Sequence, residues 1–167
     1  MAVRHLWAHH SIVFIFLRHF ACIGCRAHAV QVWQDRERYE GGGAKIVFVG
    51  NGSPDFIERF REDLKLGEAL IFTDPSLEVF KAAGFKHGFF AVVQPSSVLN
   101  VVKLAREGHR QVAHSPEAGT HWQLGGVIAI SKAGKLLYHF ISESVGDHAP
   151  NPDIEVIARM MSDKNGS

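Results

Sequence analysis

The two cysteines of this chain, Cys22 and Cys25, are separated by two residues and follow closely after an apolar run over 11–17. They are the only cysteines in 167 residues, which excludes a scaffold held together by several structural disulfides. Two thiols at this spacing at the start of a helix can close a small disulfide ring and open it again. The pair therefore indicates either a redox couple or half of a metal site.

The positions of the two thiols suggest different roles. Cys22 is the candidate nucleophile, because the helix dipole and the free backbone N–H groups at a helix start favour a thiolate. Cys25, one turn further on, is the candidate resolving thiol, and we expect it to be the more buried of the two. Arg18 and Arg26 flank the pair, and a nearby cation lowers a thiol pKa and can orient a peroxide or an anionic substrate. We predict both arginines to be catalytic, the alternative being solvated surface charges.

The metal alternative rests on the spacing of Cys22, Cys25 and His28, which is C-x2-C-x2-H. A structural zinc site takes four ligands, usually as two pairs at compatible spacings. The chain has no second cysteine pair to complete such a site. We therefore favour the redox interpretation and predict no metal.

The composition is typical of one globular domain, with 46% hydrophobic residues, 21% charged residues and a formal net charge of +1. This balance lacks the basic excess of nucleic-acid or anionic-membrane binding. The apolar stretch over 12–17 is far shorter than the roughly 18 residues of a membrane span, and no signal-peptide cleavage pattern follows it. We expect a single cytoplasmic domain over 1–167, with its core at about 11–161 and a frayed end over 162–167.

Hydrophobic patterning predicts alternating strands and helices. The predicted strands are 11–18, 45–49, 70–73, 127–130 and 136–141, with a hairpin turn at 132–135. The predicted helices are 23–39, 54–66, 75–83 and 97–107, and a final helix begins near 151. Parallel strand–helix units followed by an antiparallel hairpin and a C-terminal helix are the thioredoxin-type order. We therefore predict an α/β, thioredoxin-like fold with a central mixed sheet flanked by helices.

Four segments resemble the peroxiredoxin-like branch of the alkyl hydroperoxide reductase and thiol-specific antioxidant (AhpC/TSA) family. They are FLRHFACIGCR at 16–26, TDPSL at 73–77, QLGG at 123–126 and GDH at 146–148. The resemblance implies a thioredoxin-like fold and an antioxidant thiol oxidoreductase without an organic cofactor. It also implies a peroxide or disulfide substrate and thioredoxin or glutathione as the reductant.

The same resemblance suggests which residues meet the substrate. His19 stands where typical peroxiredoxins have a threonine, so we expect peroxide reduction to be slow, and the alternative is that His19 only lines the loop. Gln123, Gly125 and Gly126 are predicted to face the cysteines, where glycines let the backbone approach a disulfide or substrate closely. The alternative for these three residues is a plain strand entry.

Two functions of different classes remain open. In the first, the Cys22 thiolate attacks a peroxide or a disulfide and Cys25 resolves the product. In the second, the chain is a non-catalytic redox-sensing or interaction module whose disulfide state changes partner binding.

Overall fold

The structure is a computed structural model that describes residues 5–88, 102–108 and 118–143. Within these ranges a five-stranded mixed sheet is flanked by helices. In chain order the elements are β1 (Ser11–Phe16), α1 (Ile23–Gln34), α2 (Arg36–Gly41), β2 (Ala44–Gly50), α3 (Phe56–Asp63), β3 (Leu70–Thr73), α4 (Glu78–Ala82), β4 (Gly126–Ile130) and β5 (Leu136–Ile141).

The strand that precedes the cysteines lies at the centre of the sheet. The strand order is β3-β2-β1-β4-β5, with β1, β2 and β3 parallel and with β4 and β5 antiparallel to their neighbours. All six residues of β1 are buried, because its side chains enter a hydrophobic cluster on each face of the sheet. Val13 and Ile15 enter one cluster, and Phe14 and Phe16 enter the other. The predicted central, two-sided strand is confirmed.

The helix after the cysteines is interrupted, whereas the sequence predicts it to be continuous over 23–39. It divides into α1 and α2 at Asp35, whose φ of −89° and ψ of 7° leave the helical region. Arg36 stabilises the end of α1, since its guanidinium donates to the Trp33 carbonyl at 3.1 Å and lies over the Trp33 ring at 5.2 Å. The cysteines thus begin a helix of 12 residues.

The helix predicted over 75–83 is also shorter than expected. It begins only at Glu78, because Leu77 adopts a left-handed φ of 60° immediately before it. The predicted hairpin is confirmed as β4 and β5, and its turn is closed by the Ser131 N–H, which donates to the Lys135 carbonyl at 2.8 Å.

Part of the predicted architecture lies outside the described residues. Residues 102–106 are helical and fall inside the helix predicted over 97–107. The remainder of that helix, the final helix from about 151 and the segment 146–148 are not among the described residues. None of the helices that the structure describes has the length and hydrophobicity that a membrane-spanning helix needs.

Candidate active site

The cysteines lie where β1 passes into α1, through residues 17–22, which we name the thiol loop. Backbone hydrogen bonds fix this loop at both ends. The Leu17 N–H donates to the Val49 carbonyl of β2 at 2.8 Å, and the Cys22 N–H donates to the His19 carbonyl at 3.2 Å. Cys22 is the N-cap of α1, with an extended φ of −69° and ψ of 125°, and Cys25 lies in the first turn. This is the placement that the sequence predicts.

Both thiols are buried to nearly the same degree, whereas the sequence predicts that Cys25 is the more buried of the two. The relative exposure of Cys22 is 4% and that of Cys25 is 3%. Both belong to the same apolar cluster as Leu17 and Phe20 of the thiol loop, because the loop folds back over the start of α1. Both are free thiols in this structure.

The two thiols have opposite pKa shifts. The pKa of Cys22 is lowered from its ordinary value of 9.0 to about 6, chiefly because the Cys25 thiol donates a hydrogen bond to it. The charge of Arg18 and the backbone N–H groups of Cys25 and Gly24 add to this effect, and together these influences outweigh burial. The pKa of Cys25 is raised well above 9.0 by its hydrogen bond to Cys22, by burial and by the Cys22 charge. The opposite shifts favour the thiolate on Cys22 and the thiol on Cys25.

The thiol loop also positions the donor of that pair. The backbone N–H of Arg18 donates to the Cys25 sulfur at 3.2 Å. The backbone amide of His19 also interacts with Cys25 and, against the larger opposing effects, lowers its pKa. Two successive peptide groups of the thiol loop thus act on the Cys25 sulfur.

The two arginines that the sequence assigns to catalysis differ. Arg18 acts on the site, because its charge lowers the pKa of Cys22 while its Nε donates to the His121 carbonyl at 2.9 Å. Arg26 instead contacts α3, where its guanidinium pairs with Asp63 at 3.1 Å and lies over the Phe60 ring at 5.9 Å. It is not among the groups that shift either cysteine. This ion pair ties α1 to α3 and favours the alternative of a structural charge, while a catalytic role for Arg26 stays a prediction.

His19 lines the inside of the thiol loop. Its relative exposure is 2%, and its ring meets the His121 ring edge-to-face at a centroid distance of 5.1 Å. Its carbonyl accepts the Cys22 N–H. These contacts favour the lining role over an open substrate contact, and a role in substrate binding stays a prediction.

The segment 123–126 contacts backbone, which favours the alternative of a plain strand entry, and a role in substrate binding stays a prediction. Gln123 is 1% exposed, and its Nε2 donates to the carbonyls of Lys86 at 3.2 Å and Leu124 at 2.7 Å. A Cβ on Gly125 would lie 1.9 Å from the Phe16 carbonyl oxygen, and one on Gly126 would lie 2.1 Å from the Phe140 carbonyl oxygen. The two glycines therefore let strands pack closely, and Gly125 supports the start of the thiol loop.

A second segment, residues 118–121, supports the thiol loop and was missed from the sequence. The Phe20 N–H donates to the Ala118 carbonyl at 3.1 Å, and Arg18 bonds the His121 carbonyl. Asn51 links the two segments, with its Nδ2 donating to the Arg18 carbonyl at 2.7 Å. One sequence signal could have found Asn51. It directly follows β2, and the carboxyl ends of neighbouring parallel strands meet at one edge of a sheet.

A cavity of about 540 Å³ borders this segment, with Asn51, Ser53, Leu77, His87 and Thr120 among its lining residues. Neither cysteine lines this cavity, so a molecule bound in it would not contact the thiols directly. Across the part of the chain that the structure describes, no group of three or more His, Cys, Asp or Glu side chains is arranged to hold a metal ion.

Comparison with known proteins identifies the family. A family model described as AhpC/TSA antioxidant enzyme matches residues 31–144, a span that begins after the cysteine pair. Human prostamide/prostaglandin F synthase is 29% identical over 154 residues, covering 91% of this chain and 77% of that protein. The thioredoxin-like protein AAED1, chloroplastic, of Arabidopsis thaliana is 28% identical over 161 residues, covering 91% of this chain. The chain spans 63% of the length of that Arabidopsis relative.

A solved structure is similar in fold. The crystal structure of peroxidoxin BcpB from Mycobacterium tuberculosis matches with a TM-score of 0.64, covering 96% of this chain and 84% of that one, at 13% sequence identity. The predicted thioredoxin-like α/β fold is confirmed, and so is the resemblance drawn from the sequence motifs. The chain belongs to the AhpC/TSA antioxidant enzyme family.

Proposed function

We propose that this chain is a thiol-dependent antioxidant oxidoreductase that reduces peroxides or disulfides with Cys22 and Cys25. The observation that carries the proposal is the placement of both thiols at the start of α1, with Cys22 as the N-cap and Cys25 in the first turn. There Cys25 and the charge of Arg18 lower the pKa of Cys22 to about 6. A thiolate is the nucleophilic form of cysteine, so Cys22 is in its reactive form at pH 7. Membership of the AhpC/TSA antioxidant enzyme family supports the same class of reaction.

In the proposed cycle the Cys22 thiolate attacks one oxygen of a peroxide. An S–O bond forms, the O–O bond breaks, and the leaving oxygen takes a proton to give water or an alcohol. The Cys25 sulfur then attacks the Cys22 sulfenic acid, which forms an S–S bond and releases water. An external dithiol such as thioredoxin, or two molecules of glutathione, reduces this disulfide through a mixed disulfide and is itself oxidised.

Burial shapes the reduction step. Because both cysteines are less than 5% exposed, an external thiol reaches the disulfide only when the structure around the start of α1 opens. Peroxide is smaller and needs a smaller opening. We therefore propose reduction by the partner as the slow step of the cycle, with thioredoxin or glutathione in the cytoplasm as the reductant.

Stopped-flow consumption of hydrogen peroxide by the wild type, Cys22→Ser and Cys25→Ser tests the cycle. The wild type turns over with a dithiol, and Cys22→Ser consumes no peroxide because the nucleophile is absent. Cys25→Ser gives one turnover and then stalls with one added oxygen atom, which intact-protein mass spectrometry detects. Repeated turnover of Cys25→Ser with only a monothiol would show that Cys25 is not the obligatory resolving thiol.

The same experiment separates the alternatives. A wild type that is oxidised once, without turnover in the presence of dithiol, is a redox sensor rather than an enzyme. A wild type that consumes no peroxide but reduces a small disulfide is a disulfide reductase.

A second candidate substrate comes from the relatives named prostamide/prostaglandin F synthase. A prostaglandin-class substrate therefore belongs in the same assay, beside hydrogen peroxide and a small disulfide. Turnover of the prostaglandin-class compound that requires Cys22 and exceeds turnover of hydrogen peroxide would favour this candidate.

A further inference from the structure

We infer that Asn51 is a positioning residue for the thiol pair, in that its side-chain amide holds the Arg18–His19 peptide group in the orientation that lets Cys25 donate to Cys22. The inference deepens the proposed function and rests on it for its biological meaning. The property that it concerns, the reactivity of Cys22, can be measured without any peroxide turnover.

The Asn51 carboxamide bridges two backbone segments. Its Nδ2 donates to the Arg18 carbonyl at 2.7 Å, and its Oδ1 accepts the Thr120 N–H at 3.0 Å. The residue is 4% exposed. A buried amide bonded at both ends has little freedom to move, and loss of either bond would leave a buried polar group unsatisfied. Asn51 therefore fixes the thiol loop relative to the segment 118–121.

The backbone around Asn51 is shaped to admit this side chain. Gly119 adopts a φ of +108°, which disfavours any residue with a Cβ. A Cβ at that position would lie 1.9 Å from Asn51 Oδ1. Glycine before Thr120 thus lets the chain come close enough for the Thr120 N–H to donate to Asn51.

The path from Asn51 to the sulfurs is short. The Arg18 carbonyl and the His19 N–H belong to one peptide group, so Asn51 binds one end of the group whose other end acts on Cys25. A peptide whose carbonyl accepts a hydrogen bond becomes a stronger N–H donor. The Arg18 N–H also donates to the Cys25 sulfur, at 3.2 Å. With the sulfur accepting from the backbone, the Cys25 S–H is directed to Cys22.

Groups other than Asn51 also act on Cys22, and their effects must be separated from the effect of Asn51. Cys25 of α1 and Arg18 of the thiol loop both lower the pKa of Cys22. His19 lies in the same loop, with its ring against His121. None of these side chains is changed by a substitution at Asn51, so an effect of that substitution passes through the backbone.

The test compares Asn51→Leu with Thr73→Val, by iodoacetamide labelling of reduced Cys22 against pH. Leucine keeps the branched shape and the number of heavy atoms of the Asn51 side chain and removes both hydrogen bonds. Thr73 is the matched control, because its hydroxyl bonds the carbonyls of Gly50 and Gly52 on either side of Asn51. We expect Asn51→Leu to slow labelling at pH 6 about fivefold, because a pKa raised by about one unit from about 6 lowers the thiolate fraction at pH 6 by that factor. We expect the Thr73→Val profile to match that of the wild type.

A double-mutant cycle with Cys25→Ala tests whether Asn51 acts on Cys22 through Cys25. Because the inference runs through Cys25, Asn51→Leu should change the labelling of Cys22 little when Cys25 is absent. An equal loss in both backgrounds would overturn the inference, and so would an Asn51→Leu profile that matches the wild type. Asn51→Ala serves if the leucine variant does not fold, since it removes both hydrogen bonds without adding bulk or charge. A wild type without peroxidase activity but with the labelling pattern above would contradict the proposed function and leave this inference standing.

Discussion

Two strand-to-helix junctions of this protein differ in the side chain that meets the first N–H groups of the helix. The first leads from β1 to α1 and contains Cys22, and the second leads from β3 to α4 and contains Asp74. Both leave the carboxyl end of a parallel strand, and in both the first N–H groups of a helix need an acceptor. The residue that supplies the acceptor separates a structural junction from a reactive one.

At the second junction a carboxylate is the acceptor. Asp74 Oδ2 accepts the Val79 N–H at 2.7 Å, and its Oδ1 accepts the Ser76 hydroxyl at 2.6 Å. At the first junction no side chain caps α1 with a hydrogen bond of standard geometry. The N–H groups of Gly24 and Cys25 instead lower the pKa of Cys22. A helix start without a capping carboxylate leaves its dipole to stabilise a thiolate.

The largest expected effect is on the pH dependence of the free energy of unfolding. The pKa of Cys22 in the folded protein, about 6, is below its ordinary value of 9.0, so the unfolded chain binds more protons between these values. Stability from the thiolate is therefore present above pH 9 and is lost as pH falls through 6. Relative to Cys22→Ser, the reduced wild type should gain on the order of a few kcal/mol between pH 6 and pH 8.5. Urea unfolding under reducing conditions measures this, and a pH-independent difference would contradict the thiolate.

Removal of the thiol donor should give the next largest effect. Cys25→Ala deletes the largest cause of the lowered Cys22 pKa. We expect iodoacetamide labelling of Cys22 at pH 6 to slow about tenfold or more, since each pKa unit is a factor of ten in thiolate. If the labelling profile of Cys22 is unchanged, the helix start and Arg18 alone activate the thiol.

At the structural junction a substitution should affect stability and not thiol reactivity. Asp74→Ala removes the acceptor for the Val79 N–H and should cost about 1 kcal/mol in the free energy of unfolding. The Cys22 labelling profile should stay as in the wild type. Ser76→Ala, which removes only the hydroxyl bond to Asp74, is the milder control. A shift in Cys22 reactivity with Asp74→Ala would mean that the two junctions are coupled.

The smallest expected effect separates the two arginines. Arg18→Gln removes the cation that lowers the pKa of Cys22 and should slow labelling at pH 6 about threefold, as for a partly screened charge. Arg26→Gln should leave labelling unchanged, because its guanidinium is paired with Asp63. Equal effects of the two substitutions would support the sequence-based assignment of both arginines to the site.

Short-range patterns predicted most of the fold correctly. The strand that enters the thiol loop, the position of Cys22 at the start of α1 and the hairpin of β4 and β5 all follow from residues close in sequence. The helix ends were less accurate. The break at Asp35 and the left-handed Leu77 depend on local backbone angles that hydrophobic periodicity does not report.

The sequence by itself determined which groups stand at the candidate site, because the spacing of Cys22 and Cys25 after a buried strand places two thiols in one helical turn. Only the tertiary structure decided how that turn is surrounded. The bonds from Arg18 to His121 and from Asn51 to Thr120 join residues 103 and 69 positions apart. Arg26 turns away to Asp63, 37 positions along the chain. The burial of the cysteines, the partners of the arginines and the hydrogen bonds that hold the thiol loop depend on which distant segments pack together. No local pattern encodes that packing.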